Sequence, residues 1–126
     1  MDVRLARQCV WVVIHASWLR IPWPLWSLAV RQLPLACRQA SPLPQELGLV
    51  CVHQPSVPFV RTFCERLGIR TDAIVPTFHR TGNMGAATLP LQLAFATEEG
   101  RLRRGMQAAL FCMASGASAG VMLINW

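Results

Sequence analysis

Residues 47–52 read LGLVCV, a continuous apolar run with no polar residue in alternation. A strand of that kind needs cover on both faces, because neither face offers water a polar side chain. MQAALFCMA at 106–114 repeats the pattern, and AGVMLINW at 119–126 follows it across the small-residue turn SGASAG. That spacing predicts a hairpin. Polarity returns abruptly after the first run, at His53-Gln54-Pro55, which marks a strand end.

Two helices fit between these strands. Ser56 is an N-cap residue, and Phe59, Val60, Phe63, Cys64 and Leu67 share one face before Gly68 ends the helix. GAATLPLQLAFATEEG at 85–100 reads as a second helix, with Pro90 in its first turn and Gly100 at its close. DAIVPTF at 72–78 is a strand-like run between them. Upstream, LWSLAVRQLPLACRQA (25–40) places Leu25, Leu28, Ala29, Leu35 and Ala36 near helical spacing, with a kink or restart at Pro34. Strand, helix, strand, helix, strand, strand is an α/β order.

Residues 1–24 read differently. Their apolar stretches are interrupted by Arg20, Pro22 and Pro24, and neither reaches the roughly 20 residues that span a bilayer. His15 sits inside the first stretch, and no small-x-small cleavage site follows it. The expectation is an irregular Trp-rich segment, a non-native start, ahead of a domain at 25–126.

Charge narrows the function classes. The net charge of +6 is carried by twelve basic residues, all of them Arg. They are scattered apart from Arg101, Arg103 and Arg104, with no basic stripe among aromatics and no Tyr. Nucleic-acid binding is therefore disfavoured, while an acidic protein partner fits the same charges. The five cysteines, Cys9, Cys37, Cys51, Cys64 and Cys112, form no C-x-x-C pair. They read as buried thiols of a reducing compartment, not as a zinc site or a disulfide framework.

Two polar loops stand out, His53-Gln54 and Gly82-Asn83, each just after a strand-like run. By itself His53 reads as a structural hydrogen-bonder and Gly82-Asn83 as a turn. Strand-end loops of an α/β sheet converge, however, and such a place binds ligands. There an imidazole and an amide donating to one oxygen would stabilise an enolate or a tetrahedral oxyanion. The turn ASGASAG is either a tight hairpin or a further source of backbone donors. His15 and His79 read as solvated, and neither Ser118 nor Cys112 stands in a G-x-S-x-G elbow.

Three stretches in order, VCVHQPSVPFVRTFCERLGI, HRTGNMGAATLPLQLAFATEEGRL and ASGASAGVMLINW, resemble the C-terminal half of β-ketoacyl-acyl carrier protein synthase III. That family belongs to the thiolase-like condensing enzymes. The 30-residue step from His53 to Asn83 matches without a gap, and the resemblance covers residues 25 to 126. It implies a thiolase-like half, a mixed sheet with helices on its faces, that packs against a similar half with the active site between them. It implies catalytic roles for His53 and Asn83, donors to a malonyl-thioester oxygen during decarboxylation. Gln54 and Gly82 would support those loops, and the backbone at Ser115 and Gly116 would support an oxyanion hole.

The family's nucleophilic Cys lies in the N-terminal half, and none of the five cysteines here aligns with it. The basic residue that follows His-Gln in the family is Pro58 here, with Arg61 one turn on. The implied function is part of a cytoplasmic acyltransferase of fatty acid or polyketide-type biosynthesis, using no metal or other cofactor. It would condense an acyl-thioester primer with malonyl-acyl carrier protein, and this chain alone would be inactive. Its partners would be coenzyme A or acyl carrier protein thioesters, acyl carrier protein itself, and a Cys-containing N-terminal half or partner chain. The complete enzyme would be a homo-oligomer. A non-catalytic interaction subunit or decayed fragment is the alternative, and a membrane-associated basic protein a third.

Overall fold

The two-sided cover that residues 47–52 require is supplied by helices on opposite faces of one sheet. The computed structural model describes residues 10–15, 46–114 and 118–126. Its elements are β1 (Val10–His15), β2 (Leu49–Val52), α1 (Val57–Leu67), α2 (Phe78–Thr81), α3 (Thr88–Glu98), β3 (Gln107–Ala114) and β4 (Ser118–Asn125). The strands lie in the order β1-β4-β3-β2. β2 runs parallel to β3, and both β3–β4 and β4–β1 are antiparallel, so the sheet is mixed. A single parallel bridge, Val50 to Ile74, extends it beyond β2.

All four residues of β2 are buried. Val50 and Val52 pack with Phe63, Cys64 and Leu67 of α1, while Leu49 and Cys51 pack on the other face with Ala96, Leu89 and Leu93 of α3. The period-two alternation of a strand thus distributes one apolar run between two cores. Phe63 also meets Phe111 of β3 edge to face at 5.1 Å, an arrangement the ring quadrupoles favour.

The helix ends follow their capping residues. Ser56 Oγ accepts from the Phe59 N–H at 3.3 Å, and Pro58 sits in the first turn of α1, where its missing N–H costs nothing. Gly68 closes α1 with φ 64°, its N–H donating to Cys64 O. A left-handed residue there lets the chain turn away at once, and glycine adopts it without strain. No helix among the described residues is long and apolar enough to cross a membrane.

Two expectations are corrected. Val10–His15, expected as irregular chain, is a strand paired residue for residue with β4, from Val10–Leu123 to His15–Ser118. Its VWVVIH sequence is rich in β-branched residues, and its partner lies more than a hundred residues downstream, beyond any local signal. The run 72–78, expected as a strand, contributes only the Ile74 bridge between a 3-10 turn at Thr71–Ala73 and the start of α2 at Phe78. Side chains take the backbone groups that a longer strand would have used: Gln54 holds the Val75 carbonyl and the Thr77 N–H. The helix expected over 25–40 lies outside the described residues.

Candidate active site

β2, β3 and the Ile74 segment are parallel, so all three finish at one edge of the sheet. His53 follows β2 directly, and its N–H still donates to Phe111 O at 3.1 Å. The ladder therefore holds the His53 backbone one residue past the strand. The side chain is half-buried, and among the described residues its imidazole has no hydrogen-bond partner.

Gln54 is 1% exposed, and both ends of its amide are bonded. Nε2 donates to Val75 O at 2.8 Å, while Oε1 accepts from the N–H groups of Thr77 (3.0 Å) and Phe78 (3.1 Å) and from Thr77 Oγ1 (3.2 Å). One side chain thus ties the loop after β2 to the segment that becomes α2. Three backbone groups buried or half-buried near a strand end would otherwise lack partners.

α2 leads straight into Gly82-Asn83. Gly82 has φ 67° and ψ −158°, and its N–H donates to Phe78 O at 2.8 Å. That conformation belongs almost solely to glycine. Asn83 is exposed, and its Oδ1 accepts from the Gly85 N–H at 3.0 Å. An N–H can donate only to the amide oxygen, so this bond leaves Nδ2 as the outward donor. The reversal is an Asx turn, and it leaves the Asn83 amide N–H free to donate outward. No atom lies within 4 Å of a Cβ built on Gly82, so Gly82→Ala meets strain in the backbone alone. It should cost about 1–3 kcal/mol, read as a lower midpoint in denaturant unfolding. An unchanged midpoint would show that the loop relaxes freely.

Arginines on either side of α3 in the chain brace this edge. Arg80 of α2 lies 3.9 Å from the centroid of the Phe95 ring and 3.5 Å from Glu99. Arg101 donates to Asp72 O at 2.6 Å and to Ile74 O at 2.9 Å, taking the carbonyls on the outer side of the truncated strand. Charged side chains there block further strand addition.

The described cysteines divide by burial. Cys51 is in the core, where burial pushes its thiol up to about 12 against a smaller opposing pull from Arg101. Cys64 is raised by burial first and by Glu65 second. Thiols held neutral in this way are poor nucleophiles. Cys112, expected inside the core, is exposed on β3, with its Sγ 3.5 Å from Gly120 O. Brief alkylation of the native chain at about pH 8 should label Cys112 and spare Cys51 and Cys64. Peptide mapping would show this, and labelling of Cys51 would contradict the described packing.

Ser115 and Gly116 lie outside the described residues. His79 is exposed on α2, as expected for a solvated side chain. Among the described residues no cluster of three or more His, Cys, Asp or Glu could hold a metal ion. The sequence reading missed Gln92. It is wholly buried in α3, its Oε1 accepts from Val52 N–H at 3.0 Å, and its Nε2 donates to Val52 O at 2.7 Å. The available signal was the polar residue in the stripe Thr88, Gln92, Ala96, spaced by four along α3.

With that geometry in place, the chain can be compared with known proteins. A family model described as 3-oxoacyl-[acyl-carrier-protein (ACP)] synthase III C terminal matches residues 37–126. The β-ketoacyl-[acyl-carrier-protein] synthase III of Aquifex aeolicus is 30% identical over 106 residues, covering 81% of this chain and 34% of that protein. The synthase III of Bartonella bacilliformis is 36% identical over 83 residues, covering 66% and 26% respectively. The chain thus spans about a third or less of the length of these curated relatives. Among solved structures, a single-residue variant of Xanthomonas campestris OleA matches with a TM-score of 0.82 and 28% identity, covering 92% of this chain and 37% of that one. The Aquifex aeolicus synthase III matches with a TM-score of 0.76 and 25% identity, covering 97% and 44%. Coverage of that extent takes in part of residues 1–24.

Proposed function

Since the chain belongs to the family of synthase III C-terminal domains, we propose that it supplies the decarboxylating half of a cytoplasmic acyl-condensing site. His53 and Asn83 are its catalytic residues. The observation that carries this reading is the Gln54 network, which joins the loop bearing His53 to the segment leading into Asn83. Two hydrogen-bond donors on separate loops can act on one oxygen only if the loops are fixed to each other.

In the proposed step a malonyl thioester, on coenzyme A or acyl carrier protein, places its thioester oxygen between the His53 imidazole and Asn83 Nδ2. The bond to the carboxylate breaks, carbon dioxide leaves, and the electron pair moves into an enolate whose oxygen carries the charge. Donors set in advance at that oxygen stabilise the charge as it develops. The enolate carbon then attacks an acyl-cysteine thioester, and the cysteine leaves as thiolate. That cysteine would come from a first half or partner chain, since the family's nucleophile lies in the N-terminal half and none of the cysteines here aligns with it; Cys51 and Cys64 are in any case buried and held neutral. Ser115 and Gly116 contribute backbone donors to the acyl-cysteine side. Arg61, exposed on α1 beyond Pro58, would meet an acidic carrier protein.

The test is release of carbon dioxide from a malonyl thioester by this chain combined with a cysteine-bearing first half of a synthase III. Release that depends on both His53 and Asn83 supports the assignment. Release indifferent to both contradicts it.

A further inference from the structure

The last residue of β2 has an edge problem. In the parallel register Val50 faces Ile74, so two residues on Val52 would face Pro76. Parallel bonds to Val52 would come from the residues flanking Pro76, but the Val75 carbonyl and the Thr77 N–H are already bonded to Gln54. The N–H and C=O of Val52 on that side would be left unpaired in the core, where a missing partner is expensive.

Gln92 fills the place. Its primary amide takes both groups of Val52, with bonds of 3.0 and 2.7 Å, from a side chain that is 0% exposed. It acts as a peptide group from a neighbouring strand would. Val52 is the residue immediately before His53. On the opposite side the His53 N–H is already held by Phe111 O, and Gln54 beyond is held by its own network. The backbone at His53 is therefore fixed on three sides, and the imidazole direction follows from it because no other bond among the described residues holds the ring. Thr88, one turn before Gln92 on the same stripe, is also buried, and its hydroxyl has no partner among the described residues. Of the buried polar side chains of α3, Gln92 is thus the one that reaches β2.

We propose that Gln92 is a positioning residue for His53, acting through the backbone of Val52. The proposal rests on His53 donating to the malonyl thioester, and the experiment separates the two. Three variants are compared with the parent chain, each in complex with the cysteine-bearing half: Gln92→Met, Gln92→Glu and His53→Ala. Gln92→Met keeps the volume and removes both bonds. It should lower kcat for decarboxylation by about 10²-fold, with KM unchanged, because a misplaced donor still admits substrate. Gln92→Glu makes a sharper signature. Protonated, the carboxyl both donates to Val52 O and accepts from Val52 N–H; ionised, it sets a charge against the Val52 carbonyl. Burial raises the pKa of such a carboxyl. Activity of Gln92→Glu relative to the parent should therefore be high at low pH and fall as pH rises through that pKa. A purely structural role would create this limb only together with loss of the fold, so the limb counts where far-UV circular dichroism is unchanged across it.

If His53→Ala abolishes decarboxylation while Gln92→Met leaves kcat unchanged, the positioning role is overturned and the catalytic reading stands. If His53→Ala has no effect, both fall. Should Gln92→Met fail to fold, the pH profile of Gln92→Glu decides: the extra limb supports the role, and a profile parallel to the parent overturns it.

Discussion

Asn83→Ala, in this chain combined with a cysteine-bearing first half, should lower malonyl-thioester decarboxylation about 10²–10³-fold, the usual loss for one oxyanion donor. Acylation of the cysteine by the primer thioester should continue, because in the proposed step the Asn83 amide serves the malonyl oxygen. The physical basis is the Asx turn. With Oδ1 engaged by the Gly85 N–H, Nδ2 is set before substrate arrives, and no reorganisation is needed as charge develops. His53→Ala should lose a similar amount. The double variant should lose less than the product of the two, since the donors serve one oxygen. Separate assays of primer transfer and carbon dioxide release would decide. An equal fall in both steps would make Asn83 a general structural residue and remove its assigned role.

Gln54→Leu should produce the largest loss of stability among single polar changes at this edge, at least about 3 kcal/mol. The substitution keeps the volume but strands the N–H of Thr77, the N–H of Phe78 and the carbonyl of Val75. Each such group, buried without a partner, costs about 1–3 kcal/mol. Small domains have only about 5–15 kcal/mol in total, so the variant should be near its unfolding threshold. Chemical denaturation of parent and variant in the same complex measures the difference. A loss below about 1 kcal/mol would mean that water or a shift of the chain replaces the amide. Loss of decarboxylation should accompany the loss of stability, since the same bonds join the His53 and Asn83 loops.

Much of this arrangement is legible in the residue order. The unbroken run at 47–52 could only be a strand covered twice, and it is buried between α1 and α3. Ser56 and Gly68 mark the ends of α1, and the apolar runs at 106–114 and 119–126 pair as a hairpin. His53-Gln54 follows the end of β2 as that reading expects, whereas Gly82-Asn83 follows α2 and not a strand. What escaped it depends on distant partners. β1 exists because β4 offers an edge, and nothing local to VWVVIH announces that edge. The segment 72–78 reads as a strand because its residues suit one, yet Gln54, Arg101 and Gln92 occupy the backbone groups around it. Gln92 itself reads as one more polar residue of a helix. Its function as a substitute strand appears only when Gln54 is seen to hold the Val75 and Thr77 groups that Val52 would otherwise meet. Side chains that replace backbone partners leave no periodic signal, and that is where sequence reasoning ended.

The central claim is that these residues form one half of a site whose other half brings the cysteine. Formation of β-ketoacyl product from an acyl thioester and a malonyl thioester tests it most directly. The purified chain alone should form none, because Cys51 and Cys64 are held neutral in the core and none of the five cysteines aligns with the family's nucleophile. The same chain with a cysteine-bearing first half should form product, and should stop when the cysteine of that half is replaced by Ala. Product from the chain alone, lost when one of its own five cysteines becomes Ala, would contradict the account.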